Sequence, residues 1–107
     1  MKPGDVVVAL LPGARIAKVR PAVVVSADLY QQERPDVIVA ILTTQTPSPT
    51  TATDYQVQDW RSAGLRASSW LRVYLITVQQ ADISVIGRVS SRDWAEIRTR
   101  LRLGLAV

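Results

Sequence analysis

Two short stretches carry the residues best suited to chemistry. Arg20-Pro21-Ala22-Val23-Val24-Val25-Ser26 sets a permanent cation at the mouth of an apolar run. Thr43-Thr44-Gln45 follows the next apolar run and supplies hydroxyls and an amide. A cation at the start of a core strand either neutralises an internal carboxylate, for instance Asp5 or Asp28, or faces a negatively charged ligand. An arginine with hydroxyls suits one reaction in particular. RNA strand cleavage carries its own nucleophile, the 2′-hydroxyl. The protein has to align it, stabilise extra charge on the phosphoryl oxygens and help the 5′-oxygen leave. Fixed donors aimed at that charge are worth a few kcal/mol each, about 3 for one well-placed donor. Arginine, with a pKa above about 12, is a poor base. On this reading Arg20 stabilises transition-state charge, with proton donation as a second role, and Thr43 positions the phosphate.

The rest of the composition narrows the alternatives. The chain has 107 residues, no cysteine and no histidine. Disulfides, thiolate metal sites and imidazole catalysis are therefore excluded. The nine acids are scattered along the chain and the five glycines stand alone, so neither a metal cluster nor a phosphate loop is expected. Lys2 and Lys18 form no Ser-x-x-Lys pattern. No cofactor is expected. Net charge is +4 and arginines outnumber lysines 11 to 2, which points to a phosphate-bearing or acidic partner, or to a solvated basic surface. No stretch approaches the roughly 20 apolar residues of a membrane span, and Met1 to Asp5 does not read as a signal peptide. A cytoplasmic location without membrane contact is the expectation.

The length favours one domain over residues 1–107, and 48% hydrophobic residues are enough for one core. Val- and Ile-rich runs predict strands at Asp5–Leu11, Val19–Ser26, Asp36–Thr43, Ser69–Val78 and Ile83–Val89. A short helical turn is expected between Ala27 and Arg34, closed by Pro35. Thr44 to Thr53 is a Thr/Pro/Ser-rich loop. Tyr55 and Val57 alternate with Gln56 and Gln58 as in a half-exposed strand. The C-terminal segment predicts a helix, with Ser90 as N-cap, Asp93 at N3 and a Val89–Trp94 staple. Trp94, Ile97 and Leu101 form its apolar face, Arg98 and Arg102 share another, and Gly104 is the expected stop. Together these predict a mainly β (α+β) fold: a small barrel or strongly bent antiparallel sheet with one terminal helix.

Several motifs, in order, resemble the MazF/PemK family of toxins from type II toxin–antitoxin pairs. They are Gly4-Asp5-Val6-Val7, Arg20-Pro21-Ala22-Val23-Val24, Thr43-Thr44-Gln45, Asp54-Tyr55 with Asp59-Trp60, Ala63-Gly64-Leu65, and Ile86-Gly87-Arg88-Val89-Ser90. The set spans nearly the whole chain, and the step of 23 residues from Arg20 to Thr43 agrees with that family. The resemblance implies an SH3-like barrel working as a homodimer. It implies a metal-independent endoribonuclease acting on single-stranded RNA, leaving 2′,3′-cyclic phosphate and 5′-hydroxyl ends. It assigns catalysis to Arg20 and to Thr43 rather than Thr44. Its further partners are a cognate antitoxin, laying an acidic segment over the RNA groove, and operator DNA reached only through the antitoxin complex. Arg15, Lys18, Thr44, Gln45 and Arg72 are the expected RNA contacts. Tyr30, Tyr55, Trp60 and Trp70 either stack on bases or pack into the protein. Three departures bear on cleavage specificity. Tyr74 stands where many members have lysine, Gln79 where many have an acid, and Gly13 to Ala17 lacks an acid. Two alternatives remain: a toxin of the same barrel that poisons DNA gyrase by protein binding, and an inactive binding module.

Overall fold

The computed structural model describes residues 1–11 and 16–107. The elements run β1 (Asp5–Leu11), β2 (Lys18–Val24), α1 (Asp28–Glu33), β3 (Asp36–Thr43), β4 (Tyr55–Gln56), β5 (Trp70–Gln79), a single 3₁₀ turn (Gln80–Asp82), β6 (Ser84–Arg88) and α2 (Ser91–Gly104). The six strands form one antiparallel sheet in the order β4-β5-β3-β2-β1-β6. It curls without closing, because edge strands β4 and β6 do not pair. The bent-sheet expectation with a terminal helix therefore describes the chain. No helix among the described residues is long and apolar enough to cross a membrane.

Both sides of the central strands are buried, which is why β3 is apolar nearly throughout rather than alternating. Val6, Val23, Ala40 and Leu42 enter one cluster with Tyr55, Leu71, Val89 and Ile97. Their neighbours Val7, Ala22, Val24, Val39 and Ile41 enter a second. Trp94 and Leu101 pack on the first cluster beside the fully buried Ile97, as the helix periodicity requires.

The gap between the sheet edges is bridged by backbone. Gly64, in the turn after β4, has φ +87°, and a methyl added there would overlap the Ile86 carbonyl. A methyl on Gly87 of β6 would overlap the Ala63 carbonyl. Only glycine permits this approach. Gly87→Ala is expected to lose about 1–3 kcal/mol through overpacking. That corresponds to roughly 4–8 °C in Tm per kcal/mol for a domain of this size, read by thermal unfolding.

The helix stops at Gly104 as expected, but without the left-handed turn that usually makes a glycine a terminator. Gly104 is the last helical residue, and the cap falls on Leu105 in extended conformation. A Cβ at Gly104 would come within 3.1 Å of Val73, so the missing side chain serves packing of α2 on β5.

Asp93 holds the helix start to the rest of the molecule. The Ser90 hydroxyl caps it by accepting from the Asp93 amide at 3.3 Å. The Asp93 carboxylate does not complete a reciprocal box. It is fully buried and accepts instead from the amides of Gln58 (3.0 Å) and Asp59 (2.8 Å) and from the Tyr55 hydroxyl (2.5 Å). Burial, then this carboxylate, pushes the Tyr55 phenol up, so it stays a neutral donor. Beside it, Arg92 grips Asp59 through two bonds of 2.7 and 2.6 Å, and Ser90 adds a third donor. Those bonds, Arg92 first, hold the Asp59 carboxyl down at about 2 against an ordinary 3.8. A depressed carboxylate pKa contributes stability that is complete above the unfolded value and lost as pH falls through the folded one. Acid titration of stability should therefore show a decline from pH 3.8 towards about 2 that Asp59→Asn flattens, while lowering stability at neutral pH.

Candidate functional site

The site arises where the hairpin of β2 and β3 comes apart. The two strands pair from Val24↔Val39 to Ala22↔Ile41, and there the ladder ends. The next residue on β2 is Pro21, which has no N–H to continue it. Carried two residues further, the same register sets Arg20 opposite Thr43. The 23-residue step read from the sequence is thus the register of this hairpin, and the strands splay just where the pair stands. On its other side Arg20 is still held, paired with Ala9 of β1.

The splayed end opens a cavity of about 460 Å³ lined by Lys18, Arg20, Pro21, Thr43, Thr44 and Gln45, with Ile16, Val19 and Leu42 as apolar wall. Arg20 is half-buried, and its Nε is buried with no hydrogen-bond partner among the described residues. The internal ion pair considered for it is not formed with the expected carboxylates. Asp5 instead accepts from the Arg88 guanidinium at 2.9 Å and from the Lys2 amide at 2.8 Å. Asp28 makes no ion pair among the described residues. The Thr43 hydroxyl accepts from the Gln45 amide at 3.2 Å. An oxygen used as acceptor in this way keeps its own proton free to donate. The cavity therefore offers a guanidinium, an ammonium and a hydroxyl proton, with no carboxylate in its lining.

Of the expected contacts, Lys18, Thr44 and Gln45 come together with Arg20 and Thr43. Arg72 does not. It lines a separate cavity of about 420 Å³ with Thr51, Thr53 and Tyr74, and its Nε lies 3.5 Å from Asp54. Arg15 lies outside the described residues. None of the four aromatics considered for stacking lines the Arg20 cavity. Tyr30 donates to Asp36 at 2.8 Å, Tyr55 to Asp93, and Trp60 packs on the core under the Arg61 guanidinium. No group of three or more metal-ligating side chains occurs among the described residues.

A second cavity, of about 500 Å³, adjoins the first, with Arg20, Val19, Pro21 and Thr44 common to both. Its far wall brings in Arg66 and Ser69, which the sequence reading passed over. The signal available was slight: an arginine one residue after the Gly64-Leu65 turn that bridges the sheet edges.

Fold and site together define a small curled β protein whose cavity presents permanent positive charge and hydroxyl donors. A sequence profile of the PemK-like, MazF-like toxins of type II toxin–antitoxin systems matches residues 2–105, and the chain belongs to that family. Comparison with curated protein sequences gives no match. Solved structures share the fold. An endoribonuclease from a mycobacterial species, in complex with its cognate antitoxin, superposes with a TM-score of 0.81 at 20% identity over 100% of this chain and 96% of that one. The Mycobacterium tuberculosis toxin MazF-mt6 gives 0.75 at 19% identity over 96% and 97%. A MazE–MazF structure from Deinococcus radiodurans gives 0.72 at 17% identity over 98% and 97%.

Proposed function

We propose that the protein is a toxin endoribonuclease that cuts single-stranded RNA at the Arg20–Thr43 cavity. The observation that carries this reading is the pair itself: a guanidinium whose buried Nε has no partner among the described residues, lining one cavity with a hydroxyl whose proton is free. In the reaction the substrate's 2′-oxygen bonds to phosphorus and the bond from phosphorus to the 5′-oxygen breaks. The 2′ proton passes to solvent, and the 5′-oxygen is protonated as it leaves. Arg20 stabilises the charge that grows on the phosphoryl oxygens and donates toward the leaving oxygen. Thr43 donates to a phosphoryl oxygen and fixes its orientation. Lys18, Thr44 and Gln45 contact the neighbouring backbone. The products are a 2′,3′-cyclic phosphate and a 5′-hydroxyl, and no metal takes part.

The family membership and the antitoxin-bound neighbour support a regulated toxin. A cognate antitoxin laying an acidic segment across the same basic cavity would exclude RNA by occupying its phosphate sites. A homodimer, and operator DNA contact only through the antitoxin complex, complete this reading. The test is incubation of purified protein with a pool of unstructured RNAs in EDTA. Cleavage is expected, and intact RNA across varied sequences with folded protein would overturn the proposal. Thr43→Val should slow cleavage about tenfold, the worth of one hydrogen bond of about 1–1.5 kcal/mol, in single-turnover assays. Removal of Leu105 to Val107 should leave cleavage unchanged, whereas a toxin acting through its tail would be disabled.

A further inference from the structure

We propose that the second cavity beside Arg20 is a base-reading subsite and that Arg66 reads guanine there, on a nucleotide adjoining the cleaved bond. This rests on the ribonuclease reading for which phosphate lies next to it. The cavity, at about 500 Å³, is within the size range of small-ligand sites, about 300–1,000 Å³. Its walls include Val8, Val19, Leu65 and Ile86, apolar surface suited to the faces of a flat base rather than to a phosphate. Its polar groups are few: Arg20 and Thr44 on the side shared with the first cavity, Arg66 and Ser69 on the other, with no carboxylate in the lining. A nucleotide whose phosphate sits at Arg20 has its base within one chain step of that second space.

Arg66 is well held for such a role. Leu65 before it is buried, and its amide donates to the Trp60 carbonyl at 3.1 Å. Ser69 after it is buried, with its hydroxyl on the Ala67 carbonyl at 3.0 Å and its own carbonyl on the Val57 amide at 2.9 Å. The Gly64 turn is locked against β6 by backbone contact. Between these anchors the Arg66 side chain is exposed and makes no ion pair among the described residues, unlike Arg34, Arg72, Arg88, Arg92 and Arg100. A planar guanidinium fork matches the O6 and N7 acceptors of guanine, whereas adenine offers a donor in place of O6. The remaining acceptor capacity of the Ser69 hydroxyl suits a donor on the same base.

Two assays test this. Cleavage positions on a randomised RNA pool are mapped for the wild type, Arg66→Ala and Arg66→Gln. Separately, binding is measured to uncleavable 2′-O-methyl oligonucleotides carrying one guanine, 7-deazaguanine, adenine, cytosine or uracil among otherwise fixed pyrimidines. The wild type should favour guanine about 10- to 100-fold in both assays, and 7-deazaguanine should forfeit most of that. Arg66→Ala should erase the preference while leaving Tm and the cleavage of guanine-free sites near wild type. Arg66→Gln should shift it toward adenine. Absence of guanine preference in the wild type overturns the proposal. So does a loss in Arg66→Ala that is uniform across bases, which marks a phosphate contact. If wild-type protein leaves RNA intact yet binds guanine through Arg66, the ribonuclease reading fails and base reading stands.

Discussion

Arg20→Ala is expected to lower RNA cleavage by about 10³-fold or more while leaving the protein folded. The size follows from what the residue would do. Loss of a single neutral oxyanion donor lowers turnover about 10²–10³-fold, and Arg20 brings full charge with several donors to one phosphate. The stability side follows from its surroundings. Arg20 makes no ion pair among the described residues, and its Nε is buried without a partner. A charged group held that way costs folding free energy rather than supplying it. The variant should therefore unfold within a few degrees of wild type or slightly higher, the exchange of stability for activity expected at a built site. Arg20→Lys keeps the charge but loses the planar fork, and should remain well below wild type. Single-turnover rates and thermal unfolding on the same preparations check both halves. A variant that loses activity together with its fold would mean that Arg20 is a structural residue.

Asp93→Ala should produce the largest loss of stability in the molecule. Three donors converge on that carboxylate in a fully buried position: two amides of the 57–59 segment and the Tyr55 hydroxyl. A buried donor left without an acceptor, as the Tyr55 hydroxyl would be, costs about 1–3 kcal/mol, and the part-buried amides of Gln58 and Asp59 add less. Breaking a buried charged network costs about 3–5 kcal/mol overall. Against a total stability of about 5–15 kcal/mol, this threatens folding at 37 °C. Denaturant unfolding is the measurement, and Asp93→Asn, which keeps one carbonyl acceptor, should fall between. Asp93 lines neither Arg20 cavity, so the fraction of Asp93→Asn protein that remains folded should cut RNA at the wild-type rate.

The contrast between these two residues shows what the amino-acid order disclosed. Arg20 and Thr43 stood out as candidates because the absence of histidine and cysteine leaves few other groups able to do chemistry. Their meeting was implied only by resemblance. The physical reason, a ladder that stops at Pro21 and a register that sets them opposite, needs the pairing of β2 with β3. Asp93 read as a capping residue because its local spacing from Ser90 is that of a cap. Its acceptor role depends on Tyr55, Gln58 and Asp59, more than thirty residues away in sequence. The five longer strands and the terminal helix were legible from Val/Ile runs and from the Trp94–Ile97–Leu101 spacing. Gly104 was legible as the helix end but not for its second service, because a gap for a neighbour, here Val73, shows only once α2 lies on β5. Arg72 and Arg66 are alike in the sequence. Only the fold separates them, giving Arg72 to Asp54 and Arg66 to a cavity shared with Arg20.

The most direct test of the Arg20–Thr43 site is the chemistry of the RNA ends it makes. Wild-type protein incubated with unstructured RNA in EDTA should generate new 5′-hydroxyl ends matched by 2′,3′-cyclic phosphates, and Arg20→Ala should generate almost none. New 5′-phosphate ends, or equal cutting by Arg20→Ala, would contradict the account, because the first requires water as nucleophile and the second dispenses with the guanidinium.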